Sequence, residues 1–139
     1  MAEANDWNSK IIEEFRANQG KVGGPFAGAP LLLLHTVGAR TGQPRVNPVM
    51  YQPVGGSYAV FASKGGAPTH PDWYHNLLAH PQVSAEIGAQ TVPLVARMAE
   101  GAERDSIWDR QKREHPGFAD YETKTARQIP VIVLDPAPR

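Results

Sequence analysis

The segment FASKGGAPTHPDWYHNL, Phe61–Leu77, combines a cation, two glycines and the start of a predicted helix. An apolar run ends in Ser63–Gly66, which contains one lysine, and a helix is predicted to open at Pro71. Backbone N–H groups, an ammonium group and a helix N-terminus can together bind an anion. A turn that only needs positive φ is the simpler explanation of the glycines.

A second basic stretch, GARTGQPR, follows the first long apolar run; we call it the cationic segment, Gly38–Arg45. Arg40 and Arg45 flank a glycine-containing turn, and two guanidinium groups can hold a phosphate through bidentate hydrogen bonds. Lys64 could join them if the strands before the two turns lie close together. Two solvated arginines would be the ordinary outcome for one turn, but two such turns in a short chain make that explanation less satisfactory and keep an anion site open.

The composition excludes several other kinds of chemistry. The 139 residues contain no cysteine, and 14 basic residues balance 14 acidic ones, so neither disulfides nor nucleic-acid binding is expected. His70, His75 and His80 are spaced by five, which does not place them on one helical face, and we predict no metal site. No secretory signal or membrane span is recognisable, which predicts a cytoplasmic protein.

The apolar pattern predicts one α+β domain, a small mostly antiparallel β-barrel with peripheral helices. An N-terminal helix and extension would occupy residues 1–30, and the barrel residues 31–139. Asp6 is predicted to cap the first helix, Trp7 to Ala17, which Gly20 would end. Pro48 and Pro53 are predicted to place their strand at an edge or bulge. The predicted strands are Leu31–Val37, Val46–Val54, Ser57–Ser63, Val83–Ile87, Thr91–Met98 and Ile129–Asp135, and the later helices are Pro71–His80 and Ala102–Glu114.

Three stretches, TVGARTGQPRVNPVMY, FASKGGAPTHPDWYHNL and ARQIPVIVL, resemble the deazaflavin-dependent nitroreductases. These are a branch of the split β-barrel flavin and deazaflavin oxidoreductases. The resemblance extends from about Leu31 to Asp135, and its paired motifs are G-x-x-T-G-x-x-R and A-S-K-G-G…W-Y-x-N-L. It implies the split β-barrel fold and coenzyme F420, a deazaflavin with a phosphate and an oligoglutamate tail.

The resemblance also implies which residues bind that cofactor. The arginines and Thr41 would contact the phosphate or the tail, and Lys64 with the following glycine amides would contact a second anionic part. Strand residues would flank the ring, mostly through backbone groups, and the short helix would line its other side. Trp73 is expected to pack in the core as well. The implied set is Arg40, Thr41, Gly42, Arg45, Val46, Asn47, Pro48, Val49, Met50, Phe61, Ala62, Ser63, Lys64, Gly65, Gly66, Trp73, Tyr74 and Asn76.

The implied activity is that of an F420H2-dependent reductase, which transfers a hydride to an activated alkene, a quinone or a nitro compound. Ser63 and Tyr121 are the candidate proton donors, although Ser63 could equally be a turn hydroxyl. Met50, His115, Phe118 and Tyr121 would line the acceptor pocket. Tyrosines found at some of these positions in relatives are missing here, which questions the reduction of bulky nitro compounds.

Two alternatives stay open at this level. The chain could be a non-catalytic protein that binds or carries F420 or a flavin, or an FMN-dependent oxidoreductase on the same barrel. It could be a monomer or a homodimer. Membrane contact through the first helix is not expected, because Glu13 and Glu14 would oppose an anionic surface.

Overall fold

The computed structural model describes residues 2–18, 30–63, 70–125 and 128–137. Six strands in these ranges close into an antiparallel barrel with the order β1-β2-β3-β6-β5-β4, which confirms the predicted fold class. None of the helices within the same ranges is long and apolar enough to cross a membrane. In chain order the elements are α1 (Ala2–Ala17), β1 (Leu31–Val37), β2 (Pro44–Val54), β3 (Ser57–Phe61), α2 (Asp72–Ala79), β4 (Gln82–Ile87), β5 (Gln90–Met98), α3 (Gly101–Glu114), α4 (Gly117–Lys124) and β6 (Val131–Pro136).

The first four residues of β1 are apolar on both faces because both faces are covered there, as the run of leucines predicted. Leu32 and Leu34 lie in the cluster that fills the barrel. Leu31 and Leu33 pack outside it, against Phe15 of α1. Alternate side chains of a strand point to opposite faces, so a strand between a barrel interior and a covering helix needs no polar face.

β2 changes partner midway, and this explains its two prolines. Its residues 44–50 pair with β1, where Pro48 lies opposite Leu33. Its residues 51–54 pair with β3, where Pro53 lies opposite Tyr58. The prolines were predicted to put this strand at an edge or a bulge; because the barrel is closed, β2 is not an outer edge strand. Each half nevertheless pairs on one side only in these registers, which leaves room for residues that cannot donate a backbone hydrogen bond.

α2 closes one end of the barrel, which we call the helix-capped end. Trp73 and Leu77 of α2 belong to the same cluster as the interior strand residues. Because the sheet is antiparallel, β1 and β3 both end here, and β2 begins here. The topology therefore brings the cationic segment and Ala62 and Ser63, which follow β3, to the same end.

The remaining helices cover the outside of the barrel. Ile11 and Phe15 of α1 pack on β1, while α3 and α4 pack on β3 and β6 in a separate cluster. Asp6 was predicted to cap the first helix. α1 begins at Ala2, so Asp6 lies inside the helix and does not cap it. Gly20 and the side chain of Trp7 lie outside the described part of the chain. α4 falls in the stretch 115–127, for which no element was predicted.

Candidate functional site

The turn between β1 and β2 is held by its own hydrogen bonds. The Gly38 N–H donates to the Gln43 carbonyl at 2.8 Å, and the Gly42 N–H donates to the Gly38 carbonyl at 2.9 Å. The Thr41 hydroxyl oxygen accepts from the Gln43 N–H at 3.2 Å. Gly42 has φ +69°, a conformation that favours glycine. Thr41 and Gly42, the T-G pair of the motif, therefore both stabilise the turn.

Gly38 is required by a close approach. A Cβ atom added at Gly38 would lie 2.7 Å from the Thr41 hydroxyl oxygen, well inside van der Waals contact. The first glycine of the motif thus makes space for the threonine that stabilises the turn. This function of Gly38 was not predicted, although the spacing G-x-x-T carried the signal.

Asn76 of α2 joins the second motif to this turn. Its side-chain oxygen accepts from the Ala39 N–H at 2.9 Å. Its side-chain nitrogen donates to the Thr36 hydroxyl at 3.1 Å. Asn76 is only 7% exposed, so these contacts are shielded from water. Its predicted contact with the cofactor stays a prediction, and Thr36 is a residue that the sequence reasoning missed.

Arg40 and Arg45 are exposed and form no ion pair with another described residue. Arg45 lies in β2, opposite Thr36, and not in the turn where it was predicted, because the β1–β2 ladder continues to Pro44. By contrast, Arg16 and Arg97 both bind carboxylates. Two guanidinium groups that are close in sequence and have no carboxylate partner in the described ranges fit an anionic ligand such as a phosphate.

On one side, the half of β2 that follows Arg45 pairs with no other described strand. Residues 44–50 pair with β1 in the described registers, and β3 joins only from Tyr51 onward. Backbone groups on the other side of this half-strand can therefore bind a ring edge, which fits the predicted backbone contacts of Val46 to Met50. Phe61, Ala62 and Ser63 are buried at the end of β3 and beyond it. Lys64, Gly65 and Gly66 lie outside the described residues.

The predicted acceptor residues lie around one cluster of aromatic rings, which includes Phe118 and Tyr121 of α4. The ring of Phe118 lies 5.2 Å from that of Tyr121 and 5.6 Å from that of Phe61, between centroids. His115 lies farther out, 6.5 Å from Phe118. Met50 packs against this cluster and also against α1. Phe118 is only 8% exposed, so an acceptor can stack here only after these side chains move apart.

α1 covers the outer side of β2 near Met50, and a partly exposed ion pair connects it to β4. The guanidinium of Arg16 donates to the two oxygens of Glu86 at 3.0 and 2.7 Å, and His35 lies 2.6 Å from the same carboxylate. The Arg16 hydrogen bond lowers the pKa of Glu86; partial burial acts in the opposite direction, and the His35 contact again lowers it. Ile12 and Phe15 thereby stay against the barrel.

A cavity of about 290 Å³ opens at the helix-capped end. Tyr74 is the predicted cofactor residue that lines it, and the ring of His70 lies 4.5 Å from that of Tyr74. Arg104 also lines the cavity and donates to the Ile129 carbonyl at 2.7 Å. In the ranges that the structure describes, no group of three or more histidines and carboxylates could hold a metal ion.

The closed antiparallel barrel, with a cationic segment beside a half-paired strand, is the architecture expected of a split β-barrel flavin or deazaflavin oxidoreductase. Residues 7–136 match the family model described as F420H2-dependent quinone reductase. The chain therefore belongs to the F420H2-dependent quinone reductase family. This membership confirms the predicted resemblance, the predicted class of F420-dependent oxidoreductase and the predicted cofactor.

Individual relatives agree with this membership. A Mycobacterium tuberculosis protein named F420H2-dependent quinone reductase is 38% identical over 124 residues, covering 86% of this chain and 83% of that protein. The solved structure of the F420H2-dependent reductase FDR-A is 43% identical, with a TM-score of 0.70, over 76% of this chain and 94% of that chain. A structure described as a domain-swapped dimer is 39% identical, with a TM-score of 0.72, over 95% and 99% of the two chains.

Proposed function

We propose that this protein binds F420H2 at the helix-capped end and reduces a quinone there. The observation that carries the proposal is that Arg40 and Arg45 have no carboxylate partner among the described residues and lie beside the half of β2 that pairs with β1 alone in the described registers. The relatives named as quinone reductases favour a quinone over the enones and nitro compounds also expected from the sequence.

The chain's own groups divide the binding of the cofactor between them. Arg40 and Arg45 bind the phosphate or the tail carboxylates, because guanidinium groups match both anions with paired hydrogen bonds. The side of β2 that pairs with no other described strand, from Val46 to Met50, contacts the ring through its backbone. Tyr74 packs against the cofactor from α2.

Bound F420H2 supplies a hydride from C5 of its deazaflavin ring. The protein has to hold a planar acceptor over that carbon and give a proton to the resulting anion. Met50, Phe118 and Tyr121 form the apolar wall for the acceptor, and His115 lies at its rim. Ser63 or Tyr121 donates the proton, since each carries a hydroxyl. Tyr121 belongs to this wall, and Ser63 closely follows Phe61, whose ring packs against Phe118.

Fluorescence titration of the protein with F420 and, separately, with FMN tests the cofactor half of this proposal. We expect F420 to bind much more tightly, because Arg40 and Arg45, joined by Lys64 as the sequence predicts, match a longer polyanion. Added salt should weaken that binding, since exposed charges are screened within roughly 10 Å at about 0.1 M salt. Equal affinity for FMN, or no effect of salt, would contradict the proposal.

A second candidate function has one specific observation in its favour. Phe118 is packed against Phe61 and Trp108, so the predicted acceptor wall is covered. A protein that binds F420 without reducing an acceptor would need no open space there. Single-turnover oxidation of F420H2 by a quinone separates the two candidates, because only a reductase accelerates it.

A further inference from the structure

We infer that Asn76 is a positioning residue, which holds the cationic segment in the conformation that binds the anionic part of F420 and does not itself contact the cofactor. The inference rests on the proposed function, because it takes Arg40 and Arg45 as the groups that bind the anion. It assigns to Asn76 a different function from the cofactor contact that the family resemblance implied.

The orientation of the Asn76 amide follows from its partners. A backbone N–H can only donate, so the atom that faces the Ala39 N–H must be the side-chain oxygen. The side-chain nitrogen then faces Thr36, whose hydroxyl oxygen accepts its hydrogen bond. Asn76 and Thr36 are 7% and 4% exposed, and both are therefore held inside the protein.

These two hydrogen bonds fix the chain next to Arg40 and opposite Arg45. Ala39 immediately precedes Arg40, so the bond to its N–H fixes the backbone that enters the first arginine. Thr36 is the cross-strand partner of Arg45, so the bond to its hydroxyl fixes the strand position opposite the second. One side chain thus links both arginines to α2.

α2 is itself a firm support for this link. Trp73 and Leu77, on either side of Asn76 along the helix, are buried in the barrel interior. The segment that Asn76 holds is exposed, from Ala39 to Arg45. Without the amide, the backbone of the segment would have to be ordered when the ligand binds, and the entropy lost at that moment reduces affinity.

Two variants and two ligands test this inference. Asn76→Leu removes both hydrogen bonds at similar volume, and Thr36→Val removes only the acceptor for the amide nitrogen. The ligands are F420 and the deazaflavin analogue with the same ring and ribityl chain but no phosphate and no glutamate tail. Leu78→Ala, at an exposed position of the same helix, is the control.

We expect both variants to bind F420 roughly tenfold more weakly, with Asn76→Leu affected more, and to show a shallower salt dependence. Their affinity for the tailless analogue should stay within about twofold of wild type. Leu78→Ala should bind both ligands as wild type does. Thermal melts without ligand identify a variant that has unfolded, and Thr36→Val then provides the decisive comparison.

Equal loss of affinity for both ligands would overturn the inference, because it would mean that Asn76 supports or contacts the ring. Unchanged F420 affinity in both variants would overturn it as well. Failure of the proposed function has a different signature, since wild-type protein would then bind neither F420 nor its analogue.

Discussion

The indole N–H of Trp108 donates a 2.6 Å hydrogen bond to the carboxylate of Glu122, which ties α3 to α4. Lys112 binds the other oxygen of the same carboxylate at 3.2 Å. α4 carries Phe118 and Tyr121, so this contact fixes the helix that forms the proposed acceptor wall. The Trp108 hydrogen bond is the largest cause lowering the pKa of Glu122; desolvation raises it, and the Lys112 contact lowers it again.

We predict that Glu122→Gln destabilises the protein at neutral pH and that this difference disappears in acid. A carboxyl group whose pKa is lowered by folding contributes stability above its unfolded pKa, near 4.5, and loses it as the pH falls through its folded pKa. Urea unfolding of both proteins between about pH 7 and pH 3 measures this. A difference in unfolding free energy that does not depend on pH would contradict the assignment.

Arg45→Ala should weaken F420 binding by about 1.5–3 kcal/mol, or roughly ten- to a hundredfold, the usual value of a hydrogen bond to a charged group. The free energy of unfolding without cofactor should change little, because Arg45 is exposed. Arg113→Ala, at an exposed position of α3, is the matched control and should bind F420 as wild type does. Equal loss of affinity in both variants would point to general charge attraction in place of a site.

Gly38→Ala should destabilise the protein by about 1–3 kcal/mol, because the added Cβ overlaps the Thr41 hydroxyl and forces it away from Gln43. Thr41→Ala in the same chain removes the overlap, so the double variant should be more stable than the sum of the two single effects. Gly117→Ala, where an added Cβ meets no atom within 4 Å, should cost much less. Strict additivity of Gly38→Ala and Thr41→Ala would contradict the close approach.

The strands were predictable from the sequence because their patterns are local. β1 was predicted at its observed bounds, since seven consecutive residues of LLLLHTV suit a strand covered on both faces. α4 was not predicted, because its sequence GFADYETK begins with glycine after a proline and has a weak helical pattern. Its stability comes from Phe118 in the core and from Glu122 on Trp108, and both contacts depend on the folded protein.

Of the candidate site, too, only the features that follow from local sequence patterns could be predicted. The two motifs that contain Arg45 and Asn76 were recognisable as sequence patterns. The hydrogen bond that joins them links Asn76 to Ala39, which is 37 residues away in the chain, and no local pattern reports such a contact. Arg45 was expected in a turn because Pro44 and Gly42 suggest one, yet pairing with β1 extends the strand through it.

The side-chain amides of Gln52 in β2 and Gln111 in α3 form a buried, hydrogen-bonded pair. The Gln52 side chain donates to the Ile107 carbonyl at 3.1 Å and to the Gln111 side-chain oxygen at 3.2 Å. Gln111 is 1% exposed, and its own side-chain nitrogen has no hydrogen-bond partner within the described ranges. An unsatisfied buried donor is costly, so Gln111 stabilises the fold less than its burial suggests.

We predict that Gln52→Leu costs about 1–3 kcal/mol, because it leaves the buried Gln111 amide without a partner. Gln111→Leu should cost less, since it also removes the unsatisfied nitrogen. The double variant should recover much of the loss, which a double-mutant cycle by urea unfolding detects. Equal costs for the two single changes, with no coupling, would contradict this account of the pair.

The central claim is that the protein binds F420H2 beside the cationic segment and passes its hydride to a quinone. Anaerobic stopped-flow mixing of the F420H2-loaded protein with menadione tests it most directly, because the returning absorbance of oxidised deazaflavin reports hydride transfer in a single turnover. We predict a rate that saturates with menadione and far exceeds the rate without protein. Tight F420H2 binding with oxidation no faster than in the protein-free control would contradict the claim and identify the protein as a carrier.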